Sequence, residues 1–214
     1  IGKLELPSRE EDEVRYLSVK YSMPEYLVEK WKAAYGVKTT EKILEDFLTE
    51  RPITVRCRTH KASLKEIVTS LKAQGVTVQQ APYLPYALKI SDYNHILTLD
   101  AFLQGKILVQ DISSMLVAEA ASPKKGDYII DMCAAPGGKS IHAADKMGDY
   151  GNVDARDVSQ YKADLIKENI HRTGVINVDA KVQDATVYDP DSEQAADIVI
   201  ADVPCSGYGV IGKK

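Results

Sequence analysis

Asp131-Met132-Cys133-Ala134-Ala135-Pro136-Gly137-Gly138-Lys139-Ser140 joins a carboxylate, a thiol, two adjacent glycines and a lysine, directly after the apolar run Tyr128-Ile129-Ile130. A buried strand, a tight glycine turn and a helix start make a cradle for a ligand, because unpaired backbone N–H groups point out of the turn. Adjacent glycines let the backbone come close to a ligand and reach positive φ. Three more acids, Asp157, Asp184 and Asp202, each follow a strand-like segment further along, the one before Asp157 being a poorer strand for its polar residues. A single acid at a strand end is usually a turn residue or a helix cap. Four in succession, with a glycine loop at the first, point to a ligand site.

Three ligand chemistries could use this set. A dinucleotide-binding loop needs Gly-x-Gly-x-x-Gly, which is missing here. A phosphate-binding P-loop needs Gly-x-x-x-x-Gly-Lys-[Ser/Thr]. Gly138-Lys139-Ser140 fits its end, and Ile198–Asp202 resembles its Mg²⁺-holding strand, but Cys133 stands where the first glycine belongs. The third is S-adenosylmethionine. The glycine loop would then pack on the methionine part, Asp157 would accept the ribose hydroxyls, and Asp184 would meet the adenine amino group. Asp202 would face the methionine ammonium or a target base. Asp202-Val203-Pro204-Cys205-Ser206 favours this third reading. Cytosine C5 is too weak a nucleophile for direct methylation. A thiolate added at C6 turns C5 into an enamine carbon that can attack a sulfonium methyl. Taken alone, Cys205 would read as a buried structural cysteine.

The elements that must hold these residues alternate. Tyr128–Met132, Asn152–Arg156, Asn177–Val182 and Asp197–Ala201 read as strands, and helices over Lys139–Lys146 and from Ser159 to Gly174 separate the first three. Such a pattern predicts an α/β fold with a parallel sheet and helices on both faces, ligands sitting beyond the carboxyl strand ends. Asp111 should cap a helix running to Pro123. Before it, residues 51–110 read as a small α+β module: a strand Ile53–Arg58 with Thr54, Arg56 and Arg58 outward, a helix around Leu64–Leu71, and short strands at Val76–Val78, Tyr86–Ile90 and Lys106–Val109. Residues 1–50 form a helical linker region, in which Ser22-Met23-Pro24-Glu25 suggests a capped helix start and Trp31 a core position.

The net charge of −4 is unevenly spread. Residues 51–110 carry eight Lys and Arg against three acids, between two acidic flanks. A local basic patch is what a polyanion contact requires, and Arg51, Arg56, Arg58 and Lys61 are its candidate polyanion-binding residues; a solvated lysine face would look the same on charge alone. Three widely spaced cysteines, Cys57, Cys133 and Cys205, make neither a disulfide framework nor a metal site. With no long apolar run, the expectation is a cytoplasmic monomer without membrane or metal.

Asp-x-Cys-Ala-Ala-Pro-Gly-Gly-Lys, followed by Asp-x-Pro-Cys-Ser-Gly-x-Gly-Val-Ile, resembles the RNA 5-methylcytosine methyltransferases. Gln110-Asp111-Ile112-Ser113-Ser114 and Tyr21–Val28 resemble the RsmB (Sun, Fmu) branch, which acts on 16S ribosomal RNA. The resemblance implies a Rossmann-like methyltransferase domain over 111–214 behind a small RNA-binding domain. It implies that Cys133, Ala134, Ala135, Pro136, Gly137, Gly138, Lys139, Asp157, Asp184 and Asp202 bind S-adenosylmethionine. It makes Cys205, with Asp202 beside it, the first of two active-site cysteines, the one that helps release product. The nucleophilic cysteine of a Thr-Cys-Ser motif is expected beyond Lys214, and a helical NusB-like domain ahead of Ile1.

Overall fold

The computed structural model describes residues 6–49, 52–148, 150–205 and 207. Arg51, Ser206 and residues 208–214, which include the end of the Pro-Cys motif, lie outside the described residues. The chain divides into two units, one holding the N-terminal helices and the segment from Cys205 onward, the other spanning Pro52–Pro204.

In the first unit α1 (Glu13–Tyr21), α2 (Glu25–Tyr35) and α3 (Val37–Leu48) bury Leu17, Tyr21, Leu27, Val28 and Leu44. Trp31 stacks on Phe47 at 5.8 Å between ring centroids, partly buried at the edge of this core. The expected cap at Ser22 is corrected. Ser22 sits at φ 52° and ends α1, whereas Pro24 precedes α2 with no side-chain cap. Helix α1 escaped the sequence reading because its charges obscure the apolar spacing; Asp12 caps it by accepting from Arg15 N at 2.9 Å.

The second unit begins with β1 (Ile53–Cys57), α4 (Leu64–Ala73), β2 (Thr77–Gln80), β3 (Ala87–Ser91), a short α5 (Asp100–Leu103) and β4 (Ile107–Val109). The antiparallel order is β2-β3-β1-β4, with Val55 opposite both Leu88 and Val109. Ser63 and Glu66 form a reciprocal capping box that starts α4. One sheet face carries Val55, Cys57, Leu88, Ile90 and Ile107 into a core with Ile67 and Leu71 of α4.

A second sheet follows: α6 (Ile112–Ala121), β5 (Tyr128–Asp131), α7 (Gly138–Met147), β6 (Asn152–Asp157), α8 (Gln160–Thr173), β7 (Val178–Val182) and β8 (Ile198–Ile200). Its strands are parallel, in the order β7-β6-β5-β8. Ile129, Val153, Ala155 and Val178 pack with Ala143, Ala144, Met147 and Ile166 from α7 and α8. The opposite face departs from the expected helical cover. The connection from β7 to β8 contains only a 3-10 turn, Pro190–Ser192, and Val199 stays exposed. A cross-strand charge network lies there instead. Arg156 donates to Asp154 Oδ2 at 2.8 and 2.6 Å and to Asp189 Oδ2 at 3.2 Å, while Lys181 Nζ lies 2.8 Å from Asp154.

The other face of the small sheet lies against α6 and α7. Arg56 and Arg58 point outward from their own core as their alternation predicts, but they are 2% and 1% exposed. Both reach Asp145 on α7. Arg56 Nη1 donates to Asp145 Oδ2 at 2.6 Å, and Arg58 donates through Nη2 to Oδ1 at 2.7 Å and through Nε to Oδ2 at 2.9 Å. Arg58 Nη1 also caps α8, donating to Thr173 O at 2.5 Å. A buried guanidinium survives only with such partners. Arg56 and Arg58 are therefore corrected from RNA-facing residues to a clamp between the two sheets.

Burial pushes the Asp145 carboxyl up, but the two arginines outweigh it and hold it below the usual carboxylate range. A depressed folded-state value stabilises above the unfolded value and is lost as pH falls through the folded one. Asp145→Ala should cost about 3–5 kcal/mol, the scale for breaking a buried pair, read as a lower urea midpoint at pH 7. The wild-type advantage should shrink toward acid pH.

Candidate functional site

The site is built where β5 and β8, neighbours running to opposite sides of the chain order, end together, since crevices form at that reversal. Asp131 closes β5 and is fully buried, accepting from Ser140 Oγ at 2.7 Å while its other oxygen has no protein partner. Burial pushes its carboxyl up to about 6, against smaller opposing pulls from Ser140, the Lys139 charge and the Cys133 backbone N–H. Met132 N donates to Ile200 O at 2.9 Å and Ala134 N to Arg156 O at 2.8 Å, so the loop is stitched to strands on both sides. The Ala135–Pro136 peptide is cis.

Gly137 turns the chain into α7 at φ 100°. An added Cβ there would lie 3.3 Å from Ile166 Cγ2 on α8, so conformation and space both call for glycine. Helix α7 starts without a side-chain cap, which leaves the first-turn N–H groups of Gly138 and Lys139 to a ligand. Cys133 is half-buried, and burial followed by the nearby Asp157 raises its thiol value, which fits loop packing and opposes a reactive thiolate.

Asp157, at the end of β6, is 3% exposed and braces the loop. It accepts from Ala135 N at 3.0 Å and Val158 N at 2.8 Å, and Lys162 Nζ lies 3.1 Å away. Burial raises its carboxyl, but these three donors together bring it below the ordinary range. A carboxylate offers about four acceptor positions, so one remains, and a second would open if the half-exposed Lys162 swung aside. Lys139 Nζ pairs with Asp202 Oδ2 at 2.5 Å, drawing the end of β8 to the loop. Asp202 keeps its other oxygen toward solvent, its side chain being 57% exposed.

The structure thus brings together Asp131, the 133–139 loop, Asp157 and Asp202. Asp184 stands apart. It is exposed, and its Oδ1 accepts from Thr186 N at 2.8 Å and Thr186 Oγ1 at 2.7 Å. Gln183 N, bonded to Asp157 O at 2.9 Å, keeps it at the same end of the sheet. It also lines a cleft of about 310 Å³ with Met132, Arg156 and Val199, which opens on the uncovered sheet face. Cys205 is exposed and free, and it falls outside the second unit. Lys61 is exposed, as an anion contact needs. Lys162 and Asp145 were not singled out from sequence; each is one of many helix-surface charges, and only the third dimension selects it.

The family described as 16S rRNA methyltransferase RsmB/F matches residues 118–214, and the RsmF/B-like ferredoxin-like domain matches residues 23–96. The probable ribosomal RNA small subunit methyltransferase B of Bacillus subtilis is 38% identical over 205 residues, which are 95% of this chain and 46% of that protein. Two successive stretches of the chain thus match two domains described for RsmB/F methyltransferases. Human 28S rRNA (cytosine(4447)-C(5))-methyltransferase is 31% identical over 199 residues, 92% of this chain and 24% of that protein. The solved structure of PH0851 superposes with a TM-score of 0.84 at 32% identity, over 99% of this chain and 47% of that one. The chain spans about half the length of the bacterial relatives it matches. The ferredoxin-like match agrees with the β2-β3-β1-β4 sheet, although β4 lies beyond residue 96.

Asp131 is a carboxylate retained at a stability cost. Its raised folded value means that it stabilises below the unfolded value near 3.8 and loses that contribution as pH rises through about 6. Asp131→Asn should therefore raise stability at pH 7, by up to about 3 kcal/mol, and flatten the fall between pH 4 and 6. Thermal unfolding across that range checks it.

Proposed function

We propose that this chain carries the S-adenosylmethionine site of a methyltransferase that methylates C5 of a cytosine in small-subunit ribosomal RNA. The observation that carries the reading is the uncapped start of α7 facing a ring of carboxylates. S-adenosylmethionine presents an anionic carboxylate, a cationic ammonium and sulfonium, and donating ribose hydroxyls. The carboxylate suits the first-turn N–H groups of Gly138 and Lys139. The cationic groups suit Asp131, whose buried charge lacks a partner on one oxygen, and Asp202. A ribose hydroxyl suits the open acceptor position of Asp157. Asp184 would meet the adenine from the loop after β7.

The same charges weigh against a polyphosphate. Lys139 and Lys162, the lysines beside the loop, are already paired with Asp202 and Asp157. A triphosphate would meet more negative than positive charge, so the P-loop reading is disfavoured. When bound, S-adenosylmethionine supplies the methyl group. Asp202 would hydrogen-bond the ring edge of the target cytosine, with Lys139 fixing its orientation, and Cys205 would act at the product-release step. Rather than Arg56 and Arg58, the RNA contact of the small module would use exposed cations such as Lys61, with Arg51 a further candidate. Without the clamp arginines, residues 52–110 carry five cations against three acids, a weaker patch than the sequence suggests. The reading is of a monomeric cytoplasmic enzyme without a metal; no helix among the described residues is long and apolar enough to cross a membrane.

Calorimetric titration with S-adenosylmethionine tests this. Asp157→Ala removes both the open acceptor and the brace on Ala135 and should weaken binding by at least about tenfold, 1.4 kcal/mol. Tight ATP–Mg²⁺ binding with no response to S-adenosylmethionine would reinstate the P-loop alternative.

A further inference from the structure

Gln110 follows β4 and is 6% exposed. Its Oε1 accepts from Arg56 Nε at 2.8 Å, while its Nε2 and Arg56 Nη2 are both buried without protein partners. The Nε–H and Nη2–H groups of a guanidinium form a fork that a carboxylate fills with two oxygens. An amide fills it with one oxygen and one NH₂, so here a donor faces a donor. Buried donors left in this state cost stability and call for an explanation.

Charge makes the choice of an amide more pointed. Arg56 and Arg58 share the single carboxylate Asp145, so the buried clamp carries one unmatched positive charge. Glu119, the carboxylate nearby on α6, is engaged by Tyr86 and Lys146. A glutamate at position 110 would complete the Arg56 fork and cancel the excess, yet the chain holds a neutral glutamine. The place of the amide offers a reason. Gly138 begins α7, and a Cβ added to it would lie 3.8 Å from Gln110 Cδ. Gln110 thus lies against the uncapped helix start on the loop's flank.

We infer that Gln110 is a specificity-determining residue of this site, kept neutral so that the uncapped start of α7, backed by the unmatched charge of the arginine clamp, accepts the carboxylate end of an amino-acid-bearing nucleoside. The inference rests on the S-adenosylmethionine reading and adds a selectivity to it. A negative charge at position 110 would repel that end of the ligand and leave the nucleoside end untouched.

The test titrates the full chain, Gln110→Glu and Gln110→Met with S-adenosylmethionine and with 5′-methylthioadenosine, which lacks the amino-acid part. Gln110→Glu should keep or raise the thermal midpoint and weaken S-adenosylmethionine by about tenfold or more. Its affinity for 5′-methylthioadenosine should stay within about twofold. Gln110→Met, neutral and of similar length, should hold both affinities. Equal losses for both ligands in Gln110→Glu, no loss for either, or a loss in Gln110→Met as large as in Gln110→Glu would each overturn the inference. If Gln110→Glu does not fold, selective retention by Gln110→Met still supports neutrality, and loss of both ligands there defeats it. Binding of neither ligand by the wild-type chain would instead overturn the S-adenosylmethionine reading itself.

Discussion

Asp145, held by Arg56 and Arg58, is the contact on which the second unit depends. It lies in the last turns of α7, and Arg58 reaches from it to the final carbonyls of α8 at Thr173. A cation at a helix C-terminus is favourable, and here one guanidinium serves two helices at once. Their other ends, Gly138 on α7 and Ser159 on α8, open beside the glycine loop and Asp157. Fixing the far ends of two rigid rods fixes the near ends as well. Gly105 shows how close the fit is. An added Cβ would lie 2.5 Å from Arg172 O, so the small module meets the end of α8 backbone to backbone.

The small module is therefore part of the scaffold of the ligand site as well as a neighbour that could hold RNA. Its buried arginines come from β1, whose own core is on the opposite face. The sheet has two clients, α4 beneath and α7 above. That arrangement explains why a strand alternating apolar and cationic residues is buried on both sides. It also relocates any nucleic-acid contact to the module's rim, where Lys61 stands.

The alternation of strands and helices, the glycine turn and the acids at strand ends were legible because each rests on local chemistry: the unbroken apolar run of a strand buried on both faces at Tyr128–Ile130, positive φ at Gly137, the Ser159 cap that starts α8. Asn152–Arg156, which looked a poor strand for its polar residues, is among the most buried. Its Asp154 and Arg156 neutralise one another across the pleat, a pairing that hydrophobic pattern does not encode. The fate of Arg56 and Arg58 was hidden for a similar reason. An outward-facing arginine in a basic segment looks like a nucleic-acid contact until a carboxylate 87 residues away is brought against it. The missing helix on the second face of the parallel sheet was hidden too, because residues 183–197 have the length of a crossover but the acids and Pro190 of a turn.

The remaining oddities gather within one turn of the start of α7. Asp131 keeps a buried oxygen unpaired, Gln110 turns a donor toward a donor, and α7 begins without a cap. An asparagine at 131 and a glutamate at 110 would relieve the first two, while Gly137, fixed by its φ of 100° and the closeness of Ile166, leaves the helix start uncapped. Local rules broken together at one place mark a site whose missing partners come from outside the chain. A zwitterionic ligand would supply them all: a cation for Asp131, an anion for the α7 N–H groups, and a reason for the neutral amide between them. The heavily determined clamp at the other end of α7 is what lets the near end stay under-satisfied without moving.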